Sequence, residues 1–369
     1  MDHVPPPSAH YFQAHSFAFE EESLSPAAQR VISLNPQLIL GSYQLFEYDH
    51  IRQVIHLSSS FRDLLELCVN LNILDPKVLK AKSINELNAI FQKPQGSQGG
   101  FLRKPGSERW DLNDAEAMKE NKALFDSLFQ RLGFNRESLL TTSIKVDHCV
   151  VFGASAPRVE TRIISTLDSL RNGLSITGHI FLLGSNRKLT DDEKRNLEDK
   201  VKSLPADKQA YWNETFANPE LATEANACSF LWNFLVSQDL KDKLNLVSIN
   251  STRIGFSYND TEGHRSTTET TVEDWMSFYN PEEPQNIFAF TEQPYGRLCD
   301  QFLDNILSDK RQASLEELEK RVKNTTFHFV NTNPTTPPLQ SAVIDEIARH
   351  IYRIKVILEY LQKLEATCE

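Results

Sequence analysis

Apolar residues in the first third of the chain recur at helix-like intervals, and beyond Lys145 they gather into short runs separated by longer amphipathic stretches. Residues 1–24, with three consecutive prolines (Pro5, Pro6, Pro7) and the acidic run Glu20 to Glu22, read as a flexible lead-in. From Pro26 to Lys93 the pattern predicts helices. The stretch Tyr43–Leu71 carries Leu45, Ile51, Ile55, Phe61, Leu64, Leu65, Cys68 and Leu71 at largely helical spacings. Ser83-Ile-Asn-Glu86 fits a capping box that opens a helix through Phe91. Pro94 to Gly106, with Gly96, Gly99, Gly100 and Pro105, is a loop. Asn113 to Leu132 predicts another helix, stopped by Gly133.

The second pattern alternates strand with helix. Val146–Phe152, His179–Leu183, Leu244–Ile249, Ile287–Phe290 and Phe327–Val330 are the predicted strands. Helices are expected over Pro157–Leu170, from the Thr190-Asp-Asp-Glu193 capping box towards Leu204, over Pro219–Leu235, Thr271–Phe278 and Pro294–Leu307, and over Leu339–Leu364. Short continuous apolar strands between helices are the mark of a parallel sheet covered on both faces. The expected fold is therefore α/β: a Rossmann-like three-layer sandwich with a mainly parallel sheet over 136–369, a long C-terminal helix, and a helical N-terminal region over 25–135.

Composition narrows the function. The 369 residues include 40% hydrophobic positions and 22 Phe, enough for a sizeable core. Lys and Arg number 39 against 50 Asp and Glu, a net charge of −11, which weighs against general nucleic-acid binding because neutralising phosphates needs clustered cations. No run approaches the roughly 18 apolar residues of a membrane span. The N-terminus lacks the basic and apolar regions of a secretory signal, so a cytoplasmic protein is expected, or one exported as an effector without a cleavable signal. Of five cysteines, none is in a CxxC pair, and Cys68, Cys149, Cys228 and Cys299 read as small buried hydrophobes.

In open parallel sheets ligands sit beyond the carboxyl ends of the strands. The residues just past the predicted strands share a character. Gly153, Ser155, Arg158 and Arg162 follow the first; Gly184 and Arg187 follow the second; Arg265, Thr268 and Thr271 lie past the third; Gln293 and Tyr295 past the fourth. Glycines let backbone approach a ligand, helix N-termini offer unpaired N–H groups, and guanidinium forks match phosphate or carboxylate. Four arginines gathered at one sheet edge would set a positive local field against the chain's acidic total. The ligand expected is a small anion carrying phosphate. Glu224 and Glu193 are the candidate acid–base groups. Plainer roles compete: Glu193 as capping partner of Thr190, Thr268 and Thr271 as caps, Arg158 and Arg162 on a solvated helix face, and Glu224 as a charge favoured at a helix start.

Motif absences restrict the chemistry further. No GxGxxG follows the first strand and no GxxxxGK[ST] occurs, which disfavours a dinucleotide in the usual mode and a P-loop NTPase. HExxH and GxSxG are also missing, and no metal site is suggested by histidine or cysteine spacing.

The segments VVFGAS with Arg162, FLLGSNRKLTDDE with Gly184, Arg187 and Glu193, the Thr223-Glu224 helix start, Arg265-Ser-Thr-Thr-Glu-Thr-Thr271 and Thr291-Glu-Gln293-Pro-Tyr295 together resemble the SanA/ElyC/YdcF-like family, bacterial proteins with a Rossmann-like domain. The resemblance covers about two-thirds of the chain, departing in the N-terminal region and in Val201–Asn218. It implies a nucleotide-like or S-adenosylmethionine-like ligand and a role around cell-envelope metabolism, without supplying a reaction.

Two readings of function follow. In one the chain binds a phosphorylated or nucleotide-type small molecule at the strand ends, as a hydrolase or transferase. In the other it is a non-catalytic interaction protein, a bacterial effector, binding a macromolecular partner through its N-terminal region and C-terminal helix.

Overall fold

The computed structural model describes residues 17–36, 40, 41, 43–96, 98–104, 112–134, 143–252, 255–257, 260–265, 268–278, 282–292, 314–332 and 338–366. The N-terminal part opens with β1 (Glu22–Ser23) and α1 (Pro26–Leu34), the latter capped by the Ser25 hydroxyl, which accepts from Ala28 N at 3.2 Å. Next come β2 (Phe46–Asp49), β3 (Val54–Leu57), α2 (Ser59–Asn70), α3 (Ile84–Phe91), α4 (Glu116–Glu120) and α5 (Lys122–Arg131).

The stretch Tyr43–Leu71 is thus not the helical block its spacing predicts. Its first half is a hairpin, and β1, β3 and β2 form a small antiparallel sheet in that order. The reason is local. Asp49 Oδ1 accepts from Ile51 N at 2.8 Å and Arg52 N at 3.0 Å, and Gln53 takes a positive φ of 55°, so the chain reverses there. Ile51, which helical spacing would bury, sits at the turn and is 94% exposed. Helix begins only at the Ser58 cap, whose hydroxyl accepts from Phe61 N.

The α/β part follows: β4 (Ile144–Val146), β5 (His148–Phe152), α6 (Ala156–Arg171), β6 (Leu174–Ile176), β7 (His179–Ser185), α7 (Asp191–Val201), α8 (Ala206–Ala217), α9 (Glu224–Leu235), α10 (Gln238–Lys241) and β8 (Asn245–Ser251). Then come β9 (Gly255–Ser257), β10 (Asp260–Arg265), α11 (Thr268–Trp275), β11 (Gln285–Glu292), α12 (Leu315–Asn324), β12 (Thr325–Thr332) and α13 (Gln340–Ala366). Five strands form one parallel sheet in the order β12-β11-β5-β7-β8. Numbered by their own succession this is 5-4-1-2-3, the doubly wound Rossmann order, and it reverses direction at β5. The polar stretch past β8, expected to be a loop, pairs β9 with β10 antiparallel, while the expected helix Pro294–Leu307 lies outside the described residues.

Side-chain alternation builds the layers. Cys149, Val151, Ile180, Leu182, Phe288 and Phe290 face one side, where Val159 and Ile163 of α6 and Phe230 and Leu231 of α9 pack on them. Val150, Phe152, Phe181, Leu183, Ile287 and Ala289 face the other and meet Val272 and Trp275 of α11. Both faces being covered, the strands read as unbroken apolar runs. The result is a Rossmann-like three-layer α/β sandwich.

Sequence order groups the long C-terminal helix with this sandwich, but its apolar stripe lies elsewhere. Val343, Ile344, Ile347, Ile351, Ile354 and Leu361 join Leu318 and Val322 of α12 in the core of the N-terminal part, beside Phe61, Phe91 and Phe129. Polar contacts fix it there: Arg103 N donates to Asp345 Oδ1 (2.9 Å), Gln92 Nε2 to the Ala348 carbonyl (2.9 Å), and Ser341 N and Oγ to Asp114 Oδ1 (both 2.8 Å). The N-terminal part is therefore completed by the last helix of the chain. The glycine-rich loop after Lys93 is tied to the same helix, since Gln95 Nε2 donates to the Phe101 and Ser341 carbonyls.

Candidate functional site

The carboxyl ends of β5 and β7 lead into helices α6 and α7, and α9 starts beside them. Glycine makes this closeness possible. A Cβ on Gly184 would overlap the backbone of Ala225, so the absence of a side chain lets the first turn of α9 press against the end of β7. A Cβ on Gly153 would overlap both Glu224 Oε1 and the Leu183 carbonyl oxygen. The Glu224 side chain thus occupies the space over the first residue past β5. The backbone fixes its approach: Glu224 N donates to the Arg187 carbonyl (2.9 Å), Leu189 N to the Ala222 carbonyl (2.9 Å), and Lys188 bridges Thr223. The Thr223 hydroxyl then caps α9, accepting from Asn226 N at 3.4 Å.

Arg187 is the hub. Its Nη2 and Nη1 donate to Glu193 Oε1 (2.8 Å) and Oε2 (3.0 Å), a bidentate pair, and its Nε donates to Glu224 Oε2 at 3.0 Å. Glu193 is fully engaged. Besides Arg187, its Oε1 accepts from Ala156 N (3.1 Å) and its Oε2 from Thr190 N (2.8 Å), while Thr190 Oγ1 accepts from Glu193 N in a complete capping box. Burial opposes its charge, but the bonds from Arg187, Thr190 and Ala156 outweigh burial and hold its carboxyl below the ordinary value. An acid–base role for Glu193 has no support in this geometry; it ties α6, α7 and Arg187 together. Burial likewise works against the Arg187 charge, yet the Glu193 bonds and the two carboxylate charges raise its pKa above the ordinary arginine range.

Glu224 is finished differently. Arg187 holds Oε2, and Oε1 faces the Gly153 backbone, leaving 13% of the side chain exposed. Burial raises its pKa above the usual glutamate value, against the pull of Arg187 and Arg162. A carboxyl that is half held, half open and reluctant to ionise suits proton transfer.

Of the four arginines expected at one sheet edge, Arg162 and Arg187 are bound by the protein's own groups. Arg162, 1% exposed, donates through Nη1 to the Phe152 and Gly153 carbonyls at 2.8 Å each, so it binds the end of its own strand from below. Its helix face is buried because the sheet end presents carbonyls that need a donor. With Arg187 held by Glu193 and Glu224, these two cations are structural partners first. Arg158 is half-buried in the first turn of α6, and Ser155 stands at its N-cap position without a side-chain capping bond. Thr271 is buried on α11. The backbone places Arg265 at the end of β10 and Thr268 at the start of α11, but their side chains, and Gln293 and Tyr295 altogether, lie outside the described residues. What sequence reading missed is the ligation of Arg187: its partners stand 6 and 37 residues away, and only the first carries a motif.

Fold and site define the class, a Rossmann-like α/β protein with a buried arginine–carboxylate cluster at the ends of its first two parallel strands. Comparison with family models, curated proteins and solved structures returns no match. Among the described residues no helix is long and apolar enough to cross a membrane, and no group of three or more His, Cys, Asp or Glu is placed to hold a metal ion.

Proposed function

We propose that the chain binds a phosphorylated or nucleotide-type anion at the carboxyl end of β5, where the strand order reverses, and acts on it as a hydrolase or transferase with Glu224 as general acid or base. The observation that carries this reading is the Glu224 carboxyl, anchored through one oxygen while the other lies over Gly153. Ser155 and the first turn of α6, with Arg158, supply the anion-binding end in this scheme, because the helix N-terminus adds its positive dipole to the guanidinium. Three of the segments that resemble the SanA/ElyC/YdcF-like family, VVFGAS with Arg162, FLLGSNRKLTDDE and the Thr223-Glu224 helix start, carry the residues of this cluster, which supports a nucleotide-like or S-adenosylmethionine-like ligand at the site.

Thermal-shift measurement with adenosine and uridine mono- and triphosphates tests the reading. Ligand at about 100 times its Kd adds about 2.7 kcal/mol and raises Tm measurably. Arg158→Ala is expected to remove the shift without unfolding the chain. No shift from any nucleotide, or an unchanged shift in Arg158→Ala, overturns the assignment.

The alternative, a non-catalytic protein binding a macromolecular partner, has one observation in its favour. Tyr352 and Val356, one turn apart on α13, are 51% and 42% exposed. Since α12 and α13 complete the N-terminal core, the full chain and its Tyr352→Ser, Val356→Ser variant are the right baits for a pull-down. A named partner lost with the double substitution supports this reading; equal capture by both baits counts against it.

A further inference from the structure

The five-stranded sheet has two edge strands, and they are treated differently. At β12 the N-terminal core adjoins the edge, since Phe327 packs against it. At β8 the strand is paired on one side only among the described residues: all 7 residues, Asn245 to Ser251, are in register with His179 to Ser185 of β7. Asn245, Leu246, Ser248 and Asn250 are exposed, Leu246 by 37% although it is apolar. A strand edge of this kind presents a row of backbone N–H and C=O groups, and natural chains guard it with charge, proline or a bulge. β8 has none of these guards. From Leu244 to Thr252 the sequence carries no charged residue and no proline, and the register with β7 runs unbroken.

We infer that β8 seats a second copy of this chain, the two β8 strands pairing antiparallel about a two-fold axis and joining the two sheets into one. The strand is its own complement. An axis normal to the sheet at Ser248 sets Ser248 opposite Ser248, Val247 opposite Ile249 and Leu246 opposite Asn250, and opposed residues share a face. Val247 and Ile249 lie on the α11 side, where Ile249 belongs to the buried core and Val247 packs on it. The pairing therefore brings two β-branched pairs together and carries that core across the joint. Ser248 lies on the α9 side, its Oγ 3.5 Å from Ser229 Oγ, and there the two Ser248 hydroxyls meet at the axis while each exposed Leu246 gains cover. Charge selects the same surface. Two copies of net charge −11 repel each other, and an uncharged strand is where they approach at low cost. This inference is independent of the anion site, which lies at the ends of the strands rather than along the sheet edge.

Sedimentation of the full chain over a concentration series tests the pairing, and a species of twice the single-chain mass is expected. Ser248→Lys sets two cations face to face on the axis and should weaken the dimer at least about tenfold; Ser248→Asp does the same with two anions. Mixing the two variants should restore the dimer, because Lys then meets Asp. That recovery also shows both variants to be folded. An unaltered chain that stays monomeric at every concentration overturns the inference and leaves the edge to another occupant. A dimer that Ser248→Lys leaves unchanged overturns it too, as does a mixture that stays monomeric while both variants unfold cooperatively on heating. Where the charged variants do not fold, Ser248→Cys takes their place. It should cross-link to a second copy of itself under mild oxidation while the unaltered chain does not, and absence of that link overturns the pairing about Ser248.

Discussion

Asp345 and Glu224 are both buried carboxyls beside arginine, and they are completed in opposite ways. Asp345 sits in the second turn of α13, with Oδ1 accepting from Arg103 N and Oδ2 from Arg349 Nε at 3.0 Å, one turn away. Each of its oxygens has a protein donor, and the effect is to fasten the loop after Phe101 to the last helix. Glu224 sits at a helix start against a sheet end, with Oε2 held and Oε1 beside a glycine. A carboxyl beside arginine therefore has both oxygens bonded in one part of the chain and one oxygen bonded to arginine in the other. Among the described residues the second oxygen has a hydrogen-bond donor at Asp345 and none at Glu224.

The comparison breaks most visibly at Asp345. Asp345→Ala leaves the Arg349 guanidinium and the Arg103 N–H without this acceptor in a buried seam, and should cost about 3–5 kcal/mol in urea unfolding. A loss below 1 kcal/mol would mean that the seam is not the fastening described. Gly153→Ala comes next. The added methyl meets the Leu183 carbonyl and Glu224 Oε1, so about 1–3 kcal/mol of stability should go. Combining it with Glu224→Ala removes one of the two clashes, and the double-mutant cycle should show coupling of at least about 0.5 kcal/mol. Strict additivity would place Glu224 away from the strand end.

The pH dependence of stability sharpens the contrast within the site. Glu224 has its pKa raised in the folded chain, so the native state holds a proton that the unfolded state releases just above the ordinary glutamate value of 4.5. Its contribution is complete below that value and declines as pH rises through its folded pKa. Glu193, shifted downward, behaves oppositely: its contribution is present above 4.5 and is lost as pH falls through its folded pKa. Urea titrations over a pH series should show the decline on the neutral side vanish in Glu224→Gln and the acid-side loss shrink in Glu193→Gln. Interchange of the two effects would reverse the roles assigned here.

The smallest expected effect lies at the opposite end of the sheet. His148 accepts from His179 N through Nδ1 at 3.3 Å, and the two rings stack at 5.8 Å. Burial first, then the His179 charge, lowers the His148 pKa, partly offset by Asp147. Its contribution is present above the ordinary histidine value of 6.5 and is lost as pH falls through the folded pKa. His148→Gln should flatten this acid-side slope and leave the proposed nucleotide binding untouched. A change in binding would join the two ends of the sheet in one site.

Much of the α/β part was legible in the chain. The FLLGS run becomes β7, Thr190 to Glu193 forms the capping box, and Asn172-Gly173 ends α6 with Gly173 at φ 104°. Each of these is set by neighbours within a few residues. The hairpin at Phe46–Leu57 carries a helix-like spacing because two short strands joined by an Asp49 turn place Ile51 and Ile55 four apart. The sequence names Arg187 and Glu224 as separate candidates: nothing in a 37-residue separation announces an ion pair.

Sequence alone determined the layered architecture, since unbroken apolar strands and amphipathic helices can be buried together in few ways. It also set the helix starts, where a hydroxyl and a backbone N–H three residues on meet without help from the rest of the chain. Tertiary structure decided which carboxylate neutralises which arginine, why Arg162 turns inward, and that α13 closes the N-terminal core. An apolar stripe or a charge specifies only that it needs a partner; the partner is chosen through space, by whichever element the packed chain brings within a few ångströms.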